Sequence, residues 1–114
     1  MKLPSEAQLL RIFIGEADRF EGRPLHEAIV YLARQKGLAG ATVLRGLMGF
    51  GAHSRMHTAK ILRLSEDLPI VIEIIDKPER LQLILPELDG MIKEGLITLE
   101  DIRVIAYRCD SEKI

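Results

Sequence analysis

The chain has 114 residues, 47% of them hydrophobic and 29% charged, which suffices for one core and one solvated surface. Lys and Arg number 16 against 17 for Asp and Glu, and the resulting net charge of -1 excludes a broad electrostatic footprint for nucleic acid or an anionic membrane. With no Trp and aromatics at 4%, stacking platforms for single strands are scarce as well.

A lone cysteine, Cys109, makes neither an intramolecular disulfide nor a CxxC metal site, so nothing requires an oxidising compartment. The N-terminal stretch breaks its apolar residues with Pro4, Ser5, Glu6 and Arg11, unlike a signal peptide. No apolar run reaches the roughly 20 residues needed to span a bilayer. A single soluble cytoplasmic domain over residues 1–114 is expected, with 1–7 and 110–114 as loose ends.

The first strand is expected over Gln8 to Gly15, with Leu10, Ile12 and Ile14 on one face and Leu9, Arg11 and Phe13 on the other. Gly15 to Gly22 is polar and reads as a loop. Pro24 then starts a helix whose Leu25, Ala28, Ile29, Leu32 and Ala33 recur at helical spacing, with His26 at the margin of that stripe and Gly37 as the stop. Ala41 to Met48 reads as a β-branched strand. Pro69 to Asp76 is an emphatic one, placing Ile70, Ile72 and Ile74 on one side and Val71, Glu73 and Ile75 on the other.

Pro78 opens a second helix carrying Leu81, Ile84, Leu85, Leu88, Met91 and Ile92, which Pro86 should bend or split and Gly95 should end. The last strand falls within Leu96 to Arg108, most clearly at Ile102 to Tyr107. The order strand, helix, strand, strand, helix, strand predicts an α+β, ferredoxin-like βαββαβ sandwich: a four-stranded antiparallel sheet with both helices on one face. Its other face, with Leu9 or Phe13, Val71 and Ile75, is too apolar for water, which predicts subunit association.

Chemistry concentrates between Arg45 and Arg63. The stretch holds Gly46, Gly49 and Gly51, His53 and His57, and the cations Arg45, Arg55, Lys60 and Arg63, and no Asp or Glu occurs between Glu27 and Glu66. Glycines let a backbone approach a ligand, and Arg and Lys add charge-assisted bonds to phosphate or carboxylate. The segment therefore reads as a loop for an anionic small molecule or an acidic partner; an exposed connection needing glycine for geometry and cations for solubility is the plainer reading. The glycines do not match GxGxxG or GxxxxGK[ST].

His53 and His57 are four apart and could share one side of a helix around a metal, although Arg55 and Lys60 would repel a divalent ion. Ser54 lacks a nucleophile elbow, and Cys109 reads as a non-catalytic thiol. Glu73 is either a functional carboxylate on an apolar strand or the partner of an Arg at a subunit interface, and the second is preferred.

The stretches GATVLRGLMGFG, HSRMHTAK, LSEDLPIVIEIID and MIKEGLITLEDIRVIAYR resemble an uncharacterised PII-like family, a domain of unknown function, over about Leu9 to Arg108. More distantly the chain is similar to PII signal-transduction proteins and to trimeric CutA-type proteins linked to divalent-metal tolerance. The PII resemblance implies a homotrimer with its sheets inward, an adenine nucleotide in clefts between subunits, and a long loop after the second strand that docks on target proteins.

Arg45, Gly46, Phe50 and Gly51 match the PII strand-end motif, Gly49 to Arg63 the loop, and Arg108 a basic position after the last strand. The PII phosphate loop has its counterpart in Glu94 to Asp101, which keeps only Gly95, and Ala106 replaces another basic residue. That leaves a monophosphate nucleotide, a smaller ligand or no nucleotide open. Association of the uncharacterised family with fluoride-efflux channels implies a membrane transporter or channel, or another regulated protein, as partner.

The expectation is a non-enzymatic regulatory module binding a small anionic ligand through Arg45, Gly46, Gly49, Phe50, Gly51, Arg55, Lys60 and Arg108. His53, Arg55, Met56, His57 and Lys60 would form the partner-facing loop. The alternative is a CutA-like trimer binding a divalent metal through His53 and His57. An enzyme using Glu73 or His57 as base is a weaker third.

Overall fold

Alternating apolar residues pull two central strands onto one layer of helices. The structure, a computed structural model, describes residues 5–52 and 67–110 and the backbone of 57–58. In chain order it contains β1 (Glu6–Gly15), β2 (Arg19–Phe20), β3 (Arg23–Pro24), α1 (Leu25–Gln35), β4 (Thr42–Arg45), β5 (Met48–Gly49), β6 (His57–Thr58), β7 (Pro69–Asp76), α2 (Pro78–Leu81), α3 (Leu85–Met91) and β8 (Leu96–Arg103). The main sheet runs β4-β7-β1-β8, antiparallel throughout, with α1 and the α2–α3 pair as its helices. This is the ferredoxin-like arrangement expected from the order of elements.

The core follows the period-2 pattern. Leu10, Ile12 and Ile14 of β1 and Ile70, Ile72 and Ile74 of β7 pack against Leu25, Ile29, Leu32 and Ala33 of α1 and Leu81, Ile84 and Leu88 of α2–α3. Each fully buried Leu or Ile contributes about 1.5–3 kcal/mol relative to exposure. Pro24 stands just before α1 as its N-cap rather than inside its first turn, and the Leu25 N–H donates to Asp18 O at 2.8 Å. At the other end Gly37 adopts φ +73° while the Leu38 N–H returns to Ala33 O, closing the helix.

Pro86 does split the second helix. It cannot donate to Gln82 O, so the chain tightens through the Leu83 N–H to Arg80 O and Ile84 N–H to Leu81 O bonds and restarts as α3.

Four expectations shift. Ala7 belongs to β1 and is buried, although residues 1–7 read as a loose end. The stretch read as a loop before α1 contains β2, which pairs with β3 through Arg19–Pro24 and Phe20–Arg23. The strand read over Ala41 to Met48 stops at Arg45: the Gly46 N–H makes one further bond, to Pro69 O where β7 begins, and the chain then turns into the β5–β6 ribbon. The last strand is Leu96–Arg103, not Ile102 to Tyr107: Leu96 pairs with Phe13, and Val104 N–H donates to Ser5 O where β1 runs out of partner.

Candidate functional site

The face of the sheet away from the helices is ordered in rows. Leu44, Val71, Phe13 and Leu96 line up across the four strands, followed by Thr42, Glu73, Arg11 and Thr98, and then by Ile75, Leu9 and Glu100. Leu9 is buried within the chain, whereas Phe13, Leu44 and Leu96 are 37%, 49% and 55% exposed. The apolar row is the bare face anticipated from the sequence.

Glu73 finds an Arg, but within its own chain. Arg11 Nε lies 2.8 Å from Glu73 Oε2, and Arg11 Nη1 is 3.5 Å from Glu100 Oε1. The hydrogen bond to Glu73, then the nearby carboxylate charges, raise the Arg11 pKa against the opposing effect of burial, so the guanidinium stays charged at any working pH.

The glycine-rich segment begins where β4 ends. Arg45 pairs with Ile70 in the ladder, and its Nη2 lies 2.6 Å from Glu16 Oε2. A Cβ on Gly46 would sit 2.8 Å from Pro69 Cγ, and one on Gly49 3.1 Å from it. These two glycines therefore let the chain lie flat against Pro69, whereas no atom of the described residues lies within 4 Å of the corresponding point on Gly51. Beyond them Leu47 and Phe50 are 79% and 66% exposed, and Met48 and Gly49 pair with Thr58 and His57. The chain thus leaves β4 over Pro69, with the apolar side chains of Leu47, Met48 and Phe50 bare.

Arg108 is at the opposite end of the sheet. Gln8 pairs with Asp76 there, and Val104, opposite Ser5, has already passed that level. Tyr107 Oη then donates to Ala39 O at 2.7 Å. Arg45 lies some six residues away along β7, roughly 20 Å at strand spacing. One chain does not bring Arg45 and Arg108 to the same small ligand.

From Leu96 onward, the stretch matched to the PII phosphate loop is strand β8. His53, Arg55, Met56, Lys60 and Arg63 lie outside the described residues, as does the side chain of His57. Among the described residues no group of three or more His, Cys, Asp or Glu could hold a metal ion. No helix of the described residues is long and apolar enough to cross a membrane.

One feature escaped sequence reading. Asp76, fully buried, accepts the Ala39 N–H at 2.9 Å, the Lys77 N–H at 2.7 Å and Arg80 Nε at 3.2 Å. Arg80 also donates to Gly37 O, so one carboxylate fastens the α1–β4 connection to the start of α2. Its signal was a carboxylate at the inward period of an apolar strand, four residues before an Arg.

The sheet order and the helix layer define a ferredoxin-like fold of the PII-like type. The chain belongs to the DUF190 family, described as an uncharacterised ACR, whose pattern matches residues 7–104. It is 43% identical over 98 residues to a UPF0166 protein of Aquifex aeolicus, covering 86% of this chain and 92% of that one. With a UPF0166 protein of Methanocaldococcus jannaschii the identity is 37% over 100 residues, covering 87% and 92%.

Among solved structures it is similar to CPII, a nitrogen regulatory PII-like protein from Thiomonas intermedia K12 bound to ADP, AMP and bicarbonate. The TM-score there is 0.61 at 22% identity, covering 87% of this chain and 88% of that one. It is also similar to the divalent ion tolerance protein CutA1 from Ehrlichia chaffeensis, with a TM-score of 0.54 at 11% identity, covering 93% and 87%. Both likenesses concern the fold.

Proposed function

We propose that this chain is a non-catalytic, PII-like regulatory subunit of the cytoplasm. It assembles as a homotrimer through the bare sheet face and binds a small anionic ligand, AMP being the leading candidate, in clefts between subunits. It presents the Gly49 to Arg63 loop to a partner protein such as a membrane transporter or channel. The observation that carries this reading is the position of Arg45: an exposed guanidinium at the end of an edge strand, where the chain lies against Pro69 and turns into the loop. An anion held there sits at the loop's base, where the chain leaves β4, and a ligand that binds one arrangement of the loop better than another shifts it toward that arrangement. The fold shared with a protein solved with ADP, AMP and bicarbonate supports the choice of ligand class. The separation of Arg45 from Arg108 supports a cleft to which two subunits contribute.

Thermal unfolding of the purified protein with AMP, ADP and bicarbonate tests this directly. A ligand at one hundred times its Kd stabilises the folded state by about 2.7 kcal/mol, a shift of several degrees in Tm. Arg45→Ala should abolish the AMP shift, and the Arg55→Ala, Lys60→Ala double variant should weaken it while leaving the assembly intact. A parent protein that responds to none of the three ligands, or an Arg45→Ala variant that responds as the parent does, contradicts the reading.

A further inference from the structure

Glu16 sits on the turn that follows β1, and that turn is tied down at every position. The Gly15 N–H donates to Asp18 Oδ2 at 3.0 Å, the Asp18 N–H returns to Gly15 O at 3.2 Å, and the Ala17 N–H donates to Asp67 Oδ1 at 2.8 Å. The Glu16 N–H itself donates to Leu68 O at 2.8 Å. The carboxylate is thus presented from a fixed backbone, 25% exposed, to the 63% exposed side chain of Arg45. The same turn holds Arg45 on one side of the loop and Asp67–Leu68 on the other.

We propose that Glu16 is a built-in competitor at the Arg45 anion site: its carboxylate pairs with the guanidinium when no ligand is bound, and a ligand binds by replacing it. The proposal rests on the reading of Arg45 as an anion-binding residue. A guanidinium fork donates to carboxylate and phosphate oxygens in similar geometry. A monoanion such as bicarbonate exchanges like for like with Glu16 and gains little. A phosphomonoester carries close to two charges and three acceptor oxygens, so it gains by the exchange. Ion pairs of this exposure are weak, so Glu16 raises the threshold for binding without closing the site. The preference for phosphomonoesters over monoanions resides in Arg45, and Glu16 sets the threshold that every anion must overcome, since all of them need the same freed guanidinium.

Calorimetric titration of the full chain with AMP, inorganic phosphate and bicarbonate, in the parent, Glu16→Gln and Arg45→Ala, tests the assignment. Gln keeps the size of the side chain, and the main-chain N–H to Leu68 remains, so the urea midpoint of Glu16→Gln should fall only slightly, by no more than the weak ion pair it removes. Its affinity for bicarbonate, phosphate and AMP should each rise by up to about fivefold, because all three are released from the same competitor. If Arg45→Ala loses binding while Glu16→Gln binds all three probes as the parent does, or more weakly, Glu16 has no such role and the anion site stands without it. An Arg45→Ala variant that binds normally removes the site itself, and the role of Glu16 falls with it. Binding of none of the probes by either the parent or Glu16→Gln overturns it as well.

Discussion

Arg11 and Glu73 stand directly opposite each other in the β1–β7 ladder, Nε to Oε2 at 2.8 Å, in the polar row beside the apolar row of the bare sheet face. In an isolated chain such a half-exposed pair contributes little. Between subunits it would lie in the interface, where a charge without its partner is costly to desolvate. Arg11→Glu should therefore convert the assembly to monomers in light scattering after size exclusion, and the exchange Arg11→Glu with Glu73→Arg should restore at least part of it. An unchanged oligomeric state in Arg11→Glu would place the interface elsewhere.

Asp76 offers the clearest stability test. Replacing it with Ala leaves two backbone N–H groups and the Arg80 Nε without their acceptor around a fully buried position, although Arg80 itself is partly exposed and keeps Gly37 O. The expected loss is about 3 kcal/mol in urea unfolding, with Asp76→Asn losing roughly half as much because one acceptor oxygen remains. Equal stability of parent and Ala variant would contradict the role given to this carboxylate.

The glycines of the loop base separate into two kinds. Gly46→Ala drives a methyl to 2.8 Å from Pro69 Cγ, while Gly51→Ala meets no described atom within 4 Å. The first should lower stability by about 1–2 kcal/mol. The second should leave the unfolding midpoint in place and change only AMP binding, if it changes anything. A Gly46→Ala protein as stable as the parent would show that the chain does not rest on Pro69.

The sequence was most legible where local pattern and tertiary partner agree. Strand β7 spans Pro69–Asp76, the residues read as strand, because a proline, an alternating isoleucine ladder and a second proline after Lys77 bound it on chemistry alone. The split at Pro86 follows from one missing N–H. The last strand lies within Leu96 to Arg108 as read, but its clearest part was misplaced because Ile102 to Tyr107 is the more apolar half of the stretch, whereas pairing is decided by where β1 offers open hydrogen bonds, opposite Leu96–Arg103.

Glu73 was expected to meet an Arg across a subunit boundary. Only the strand register, invisible in sequence, puts Arg11 beside it. The candidate site was legible as composition, in the acid-free run around Arg45, but not as geometry. Glu16 is distant in sequence and belongs to an unremarked polar turn, and the gap between Arg45 and Arg108 depends on sheet order.

That gap gives the most direct measurement: AMP binding by mixed assemblies of Arg45→Ala and Arg108→Ala chains, refolded together. If each cleft combines Arg45 of one subunit with Arg108 of the next, either variant alone loses binding. An equal mixture regains AMP sites in about a quarter of its clefts, those joining two intact residues. Full binding by either variant alone, or no recovery in the mixture, would contradict a cleft shared between subunits.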